Sequence, residues 1–259
     1  MDMIHLTIDK MDVQVEKGST ILDAAKKLGI DIPTLCHLHM HEIGLNNQPA
    51  SCRICVVEVE KRRNLAPACA TPVAEGMVVY TNSPRVIEER RTVMELMLSD
   101  HPKDCLTCAK SGECDLQRTA EKMGIRKVRI TGKSQSTYTP DTSVSILRDM
   151  NKCIMCRRCE TVCNQVQTVG ALSGVNRGFE AVVSTSFQAP LAESVCTYCG
   201  QCVQVCPVGA LTSNASASEH LIEDLADPDK IVIVNTAPAV RAALGEEFGY
   251  EAGPSVTGK

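Results

Sequence analysis

The amino-acid sequence predicts an α+β protein that is assembled from several small domains. Segments in which apolar and polar residues alternate, as in half-buried strands, occur near the N-terminus, and short segments with helix start and stop signals follow them. Aromatic residues make up only 3% of the 259 residues, and tryptophan is absent. Fifteen cysteines stand in groups that have the spacing of metal ligands. Large hydrophobic cores are therefore scarce, and we expect bound metal to contribute to folding stability.

Residues 1–80 are predicted to form a β-grasp domain. A hairpin with its turn near Lys10 opens the chain, a helix with Gly29 as its stop signal follows, and two later strands complete a sheet. The predicted elements are Met3–Ile8, Val13–Val15, a helix from Ser19 or Thr20 to about Leu28, Ile54–Val59 and Met77–Tyr80. The cysteines of this domain follow the helix or flank the first of the two later strands.

The first cysteine group predicts a 2Fe–2S cluster in this domain. Its members are Cys36, Cys52, Cys55 and Cys69. One pair has the C-x2-C spacing of cluster ligands, although the other separations differ from those of plant-type ferredoxins. Structural zinc sites also use thiolate pairs, so zinc is the alternative on spacing alone. The three other groups in the chain favour the iron–sulfur cluster.

Residues 81–130 are predicted to form a small helical domain around a 4Fe–4S cluster. One helix begins at Ser83-Pro84, with proline at its first position, and ends near Leu98. A second helix runs from about Cys114 to Met123. The predicted ligands are His101, Cys105, Cys108 and Cys114.

His101 enters this set because the three cysteines need a fourth ligand and no cysteine is left over. The alternative role for His101 is that of a polar residue at the end of a helix. Neutral imidazole in place of thiolate removes negative charge from the iron, so we expect a raised reduction potential.

Residues 140–215 are predicted to form a two-cluster bacterial ferredoxin-like domain, after a linker over Thr131–Thr142. Two C-x2-C-x2-C-x3-C runs indicate this domain, and the second run ends in Cys206-Pro207. In such paired runs the fourth cysteine ligates the other cluster. One predicted 4Fe–4S ligand set is therefore Cys153, Cys156, Cys159 and Cys206, and the other is Cys163, Cys196, Cys199 and Cys202.

Residues 219–259 predict a short α/β segment that resembles the opening of a further domain. A helix over Glu219–Ala226, a strand over Ile231–Val234 and a helix from about Pro238 to Phe248 are expected.

The remaining sequence features exclude several function classes. We find no glycine-rich dinucleotide fingerprint and no P-loop, so no flavin or nucleotide site is predicted on this chain, and no catalytic residue is assigned. The basic runs are short and lack interleaved aromatics, which argues against nucleic-acid binding. No signal peptide and no segment of membrane-spanning length is found, and the odd cysteine count argues against a disulfide framework. These features predict a cytoplasmic protein.

The ordered motifs resemble the accessory iron–sulfur region of clostridial-type and bifurcating iron-only (FeFe) hydrogenases. The large iron–sulfur subunit of NADH dehydrogenase and the diaphorase iron–sulfur subunit of NAD-linked nickel–iron hydrogenases share most of this plan. Asn235–Gly249 and Ser255–Gly258 look like the opening of the hydrogenase catalytic domain. The other segments that carry the resemblance are Ser51–Glu60, Ala68–Pro72, His101–Cys108, Ser111–Leu116 and both ferredoxin runs.

The resemblance implies an electron-transfer subunit. The family's hydrogen-activating cluster needs further cysteines, and none follows Cys206. We therefore expect a subunit of an electron-bifurcating NAD(P)H/ferredoxin oxidoreductase that resembles the iron–sulfur subunit of bifurcating transhydrogenases. It would carry one 2Fe–2S and three 4Fe–4S clusters. Its implied partners are a flavin- and NAD(P)-binding subunit with its own clusters, a small 2Fe–2S subunit and ferredoxin.

Three alternatives stay open at this point. The chain is the accessory half of a truncated FeFe hydrogenase, or the diaphorase iron–sulfur subunit of an NAD-linked hydrogenase, or a zinc-stabilised structural module without a redox role. Visible absorption separates the last from the others, because zinc thiolates are colourless.

Overall fold

The computed structural model describes residues 2–40, 50–131, 141–213 and 217–251. The chain divides into two compact units, Met1–Ala215 and Ser216–Lys259. The finer division of the first unit at residues 80 and 130–140 remains a prediction. No helix within the described ranges combines the length and apolar character that crossing a membrane requires.

A five-stranded mixed sheet forms the N-terminal part of the first unit. Its strand order is β2-β1-β5-β3-β4, in which β1 runs parallel to β5 and every other pair is antiparallel. This connectivity, a hairpin and a helix before the later strands, is the one expected for the predicted β-grasp. The strands are β1 (Met3–Ile8), β2 (Met11–Glu16), β3 (Val56–Val59), β4 (Ala66–Pro67) and β5 (Met77–Tyr80).

The hairpin and the first helix follow local sequence signals. Asp9 and Lys10 both have positive φ, as a two-residue type I′ turn requires, and this confirms the predicted turn. Helix α1 (Ile21–Lys27) begins at Thr20, whose side chain and that of Asp23 form a capping box. Its buried residues pack with those of β1 and β2 in one apolar core, so the helix covers one face of the sheet.

Two helices carry the second cysteine group. Helix α2 (Pro84–Asp100) has Ser83 as its N-cap and His101 as its C-cap, and it ends two residues later than predicted. Helix α3 (Asp115–Lys122) begins directly after Cys114. The intervening loop contains one short 3₁₀ turn, Cys105–Thr107.

The third part of the first unit consists of short elements around the two ferredoxin runs. A three-stranded antiparallel sheet has the order β10-β7-β6, and β8 pairs with β9. The predicted linker at residues 131–142 falls largely outside the described residues. The elements are β6 (Asp141–Thr142), β7 (Ile146–Arg148), α4 (Arg158–Thr161), β8 (Ser173–Val175), β9 (Val182–Ser184), α5 (Gln201–Gln204) and β10 (Leu211–Ser213).

The second unit contains two helices, α6 (Ala217–Ala226) and α7 (Pro238–Glu247). The predicted strand over Ile231–Val234 is wrong, because these residues have no strand structure, and three of the four side chains are exposed. An apolar, β-branched segment becomes a strand only when a neighbouring strand pairs with it, and no described residue does so.

Candidate functional site: four groups of cysteine and histidine

The first cysteine group lies in the buried interior of the first unit. All four members are nearly inaccessible to solvent, and the Sγ atoms of Cys55 and Cys69 lie 3.4 Å apart. Cys36 in turn contacts Cys52 and Cys69 through side-chain hydrogen bonds. Cys55 comes directly before β3 and Cys69 follows β4, so the antiparallel pairing of these strands brings the two thiols together. The structure therefore joins the four sequence-predicted residues in one place.

Hydrogen bonds among these four thiols shift their pKa values in opposite directions. Hydrogen bonds from Cys52 and Cys69 lower the pKa of Cys36 to about 2, whereas donating to Cys36 raises the pKa of Cys52 and Cys69. The hydrogen bond from Cys69 also lowers the pKa of Cys55, to about 7. A buried site of this kind carries four thiolates at once only if a cation compensates their charge.

His101 is placed with one ring nitrogen free for a ligand. Its Nδ1 lies 2.9 Å from the carbonyl oxygen of Pro102, which is an acceptor, so Nδ1 carries the proton. In the neutral imidazole this leaves the lone pair on Nε2, an atom that is buried and has no hydrogen-bond partner. A histidine that ligates a metal through one nitrogen commonly donates the other N–H to a carbonyl in this way.

An open cleft of about 1200 Å³ lies beside the second group. His101, Cys105 and Cys114 line this cleft. Cys114 lies close enough to Cys105 and Cys108 to interact with them electrostatically, and burial is the main cause that raises its pKa. The structure thus brings all four predicted residues of this group to one region, with Cys105 exposed.

The third group joins residues from both ferredoxin runs. Cys206 acts electrostatically on Cys153, Cys156 and Cys159, although it lies more than forty residues further along the chain. Burial raises the pKa of Cys153 to about 11 and that of Cys156 to about 12. The thiols are therefore protonated near neutrality without metal, and a metal must displace these protons to bind.

The fourth group lines a single apolar cavity. Cys163, Cys196, Cys199 and Cys202 all contribute to its wall. Burial raises the pKa of Cys202 to about 12, and the nearby thiols of Cys196, Cys199 and Cys163 contribute to this shift. Cys163, from the first run, thus lies with the cysteines of the second run, as the predicted exchange requires.

The two ferredoxin runs also share a left-handed backbone conformation at equivalent positions, which the sequence patterns did not predict. Met155 and Arg157 in the first run, and Tyr198 and Gly200 in the second, have positive φ at equivalent positions. This conformation turns the Met155 N–H toward Cys153 Sγ at 3.3 Å and the Tyr198 N–H toward Cys196 Sγ at 3.5 Å. Hydrogen bonds to cluster sulfurs tune reduction potentials. Aligning the two runs, with Gly200 opposite Arg157, would have suggested the conformation.

The segments that carry the second and third groups are in direct contact. The Asp115 N–H donates to the carbonyl oxygen of Pro207 at 2.8 Å, and Arg158 forms an ion pair with Asp115 at 3.2 Å. A Cβ atom placed on Gly209 would lie 2.6 Å from Cys108 Sγ. Backbone that follows Cys206 therefore packs against a cysteine of the second group, and sequence spacing contained no signal for this contact.

The donor sets fit iron–sulfur clusters. In the part of the chain that the structure describes, no three His, Cys, Asp or Glu residues are arranged to hold a single metal ion. The fit therefore rests on donor chemistry, since three groups contain only thiols and one contains three thiols with an unpartnered imidazole nitrogen. The assignment of each residue to a particular cluster remains a prediction.

Three protein-family models match consecutive parts of the chain. Residues 1–84 match a 2Fe–2S iron–sulfur cluster binding domain. Residues 90–129 match the iron–sulfur binding region of NADH-ubiquinone oxidoreductase-G, and residues 143–212 match the ferredoxin-like domain of NADH-quinone oxidoreductase subunit 3. The chain thus contains a 2Fe–2S domain followed by 4Fe–4S binding regions.

Curated relatives extend this likeness. The NADP-reducing hydrogenase subunit HndD of Solidesulfovibrio fructosivorans is 64% identical over the whole chain, which spans 44% of that protein. A G-type subunit of NADH-quinone oxidoreductase from Rhizobium meliloti is 42% identical over 88% of the chain, and the alpha subunit of NADPH-Fe(3+) oxidoreductase from Geobacter sulfurreducens is 39% identical over 82%. The chain spans 26% and 24% of those two proteins, so it covers less than half the length of each of these relatives.

A solved structure has the same fold over most of the chain. It belongs to an NAD+-reducing [NiFe]-hydrogenase in the H2-reduced state, with a TM-score of 0.73 and 29% sequence identity. The match covers 82% of this chain and 88% of the hydrogenase chain.

Proposed function

We propose that this chain carries the iron–sulfur region of the family that includes the G-type subunits of NADH-quinone oxidoreductase and the iron–sulfur subunits of NAD(P)-reducing hydrogenases. In this role it relays electrons in an NAD(P)H-linked oxidoreductase complex. The observation that carries the proposal is the convergence of all fifteen cysteines and His101 into four groups. Bound iron–sulfur clusters accept and donate single electrons at potentials that the protein sets.

Each group is proposed to hold one cluster. The first group would bind a 2Fe–2S cluster and the other three 4Fe–4S clusters, which agrees with the order of the matching family models. The first group excludes water, since its four thiols are buried, whereas the second keeps Cys105 exposed. The proposed ligand sets are Cys36, Cys52, Cys55 and Cys69; His101, Cys105, Cys108 and Cys114; Cys153, Cys156, Cys159 and Cys206; and Cys163, Cys196, Cys199 and Cys202.

A flavin-bearing partner is part of the proposal. Nicotinamide transfers a hydride, which carries two electrons, whereas iron–sulfur centres pass them singly, so a flavin must separate the pair. The sequence contains no recognisable nucleotide fingerprint, and we therefore place nicotinamide and flavin on a partner subunit. A small 2Fe–2S subunit and ferredoxin complete the proposed circuit.

The finer proposal is an electron-bifurcating complex that couples NAD(P)H to ferredoxin. It rests on the resemblance to bifurcating hydrogenases and transhydrogenases described above. One observation favours a second candidate, the electron-relay region of a longer hydrogenase. The 64% identity to HndD continues through all 259 residues, beyond residue 212 where the last family model ends.

The test compares the purified chain with the native complex from which it comes. We expect no reduction of a dye by NADH or NADPH with the chain alone, and rapid reduction with the complex that contains a flavin subunit. Robust activity of the chain, free of flavin, would contradict the proposal. Hydrogen-dependent dye reduction by the native polypeptide would select the hydrogenase candidate, and ferredoxin reduction that requires a second electron acceptor would select bifurcation.

A further inference from the structure

A buried arginine lies between helix α2 and the first cysteine group. The Arg90 side chain is on the inner face of α2 and the residue is 7% exposed. Its Nε and Nη2 atoms both donate to the carbonyl oxygen of Val56, at 3.0 and 2.8 Å. Val56 directly follows Cys55, a member of the first group, so the guanidinium is held next to that group.

The positive charge of the buried guanidinium has to be compensated by a negative charge, and no carboxylate forms an ion pair with it among the described residues. Among the described residues, Arg90 takes part in no ion pair with a carboxylate, and a buried charge without compensation is costly. Burial lowers the pKa of Arg90, and the negative groups that oppose this are Cys55 and Asp9. Asp9 acts on Arg90 only through its charge, without an ion pair, and its carboxylate accepts hydrogen bonds from the N–H and hydroxyl of Thr81. Arginine nevertheless remains protonated in proteins.

We infer that Arg90 is the positioning residue that supplies the buried positive charge for the first group and raises the reduction potential of the cluster held there. The inference rests on the proposed function. Reduction adds one negative charge to the cluster, and a fixed cation in a water-poor environment stabilises that charge. Net charge and burial around a cluster are among the properties that set its potential.

The Arg90 side chain also holds α2 to β3 through its hydrogen bonds, and the experiment must separate this structural effect from the effect of its charge. Its two hydrogen bonds connect α2 with β3, which are 34 positions apart at the contact. Arg90→Lys keeps the charge but loses the paired donors, and Arg90→Gln removes the charge. Arg91→Gln is the matched control, because Arg91 is the next residue of the same helix and also donates to a backbone carbonyl, that of Met123, at 2.9 Å.

The measurement is an EPR-monitored redox titration of the complete chain with dithionite, without NAD(P)H or partners. We expect the 2Fe–2S midpoint potential to shift to a more negative value in Arg90→Gln, to stay near the original value in Arg90→Lys, and to be unchanged in Arg91→Gln. The 4Fe–4S potentials should not move in any variant. An unchanged potential in Arg90→Gln, or equal shifts in Arg90→Gln and Arg90→Lys, would overturn the inference.

The titration also gives a clear answer if a variant, or the wild-type chain, does not hold the 2Fe–2S cluster. If Arg90→Gln does not retain the cluster, retention in Arg90→Lys at the original potential supports the inference, and loss from Arg90→Lys overturns it. A wild-type chain without any 2Fe–2S signal after reconstitution would instead contradict the proposed function, so the two failures are distinguishable.

Discussion

At the scale of single residues, the fold orients the ring of His101 through one of its two nitrogens and leaves the other without a partner. Nδ1–H donates to the Pro102 carbonyl, and the buried Nε2 has no other partner. We predict that His101→Cys keeps a cluster but lowers its reduction potential, because thiolate adds negative charge to the iron. His101→Ala should make that cluster labile. EPR spectra and redox titration of both variants provide the check.

His39 offers a comparison for this prediction, because it is an exposed histidine of the same chain outside the four groups. His39→Ala should leave all cluster signals unchanged. If His101→Cys and His101→Ala also leave the spectrum and the potential unchanged, then His101 is not a ligand.

Gly209 is a second residue whose identity matters for reasons of space. Its φ is not positive, so the backbone itself tolerates a side chain, but a Cβ would meet Cys108 Sγ at 2.6 Å. We predict that Gly209→Ala displaces Cys108, destabilises the protein by about 1–3 kcal/mol, as overpacking generally does, and alters the EPR signal of the His101 cluster. Thermal unfolding and EPR spectra measure the two effects.

Gly174→Ala is the control for this substitution. The φ of Gly174 is also not positive, and its Cβ would meet only the flexible end of Arg157 at 3.3 Å. We expect a smaller change in stability and no change in the His101 cluster. Equal behaviour of the two variants would show that the contact with Cys108 has no special importance.

At the scale of structural elements, the last cysteine of each ferredoxin run lies near the cysteines of the other run. Cys163 lines the cavity of Cys196, Cys199 and Cys202, whereas Cys206 acts on the cysteines of the first run. We predict that Cys163→Ala damages the fourth-group cluster and spares the third, because one ligand of the fourth group is lost. Iron analysis and EPR of the reduced protein measure this.

Cys156→Ala is the reciprocal variant from the same run. It should damage the third-group cluster and spare the fourth, since Cys156 interacts with Cys153 and Cys206. Loss of the same EPR signal in both variants would refute the exchange, because it would place Cys163 and Cys156 on one cluster.

At the scale of the whole molecule, the four groups lead to a prediction of the total metal content. We predict about fourteen iron atoms per reconstituted chain, because one 2Fe–2S and three 4Fe–4S clusters fill the proposed ligand sets. Iron and acid-labile sulfide analysis provide the measurement. A fully reconstituted sample with about ten irons, or with stoichiometric zinc and no visible absorption, would contradict the assignment.

Features that depend on neighbouring residues can be predicted from the sequence of this protein, whereas features that depend on tertiary contacts cannot. The turn near Lys10, the start of α1 and the proline at the start of α2 depend on neighbouring residues, and each was predicted to within about two residues. The types and spacings of the ligands are equally local, so the four groups were apparent as patterns. The strand expected at Ile231–Val234 failed because strand formation depends on a partner, which no local pattern supplies.

The amino-acid sequence by itself determined the chemistry of this protein: thiols and one imidazole in four groups, in an α+β chain with little aromatic core. Only the tertiary structure decided which segments pack against each group and which side chains outside the groups lie next to them. Arg90 reaches Val56 and Gly209 reaches Cys108 across long stretches of chain. Such contacts follow from the packing of elements that are distant in sequence, where distance, burial and charge act together. Spacing along the chain contains none of these quantities.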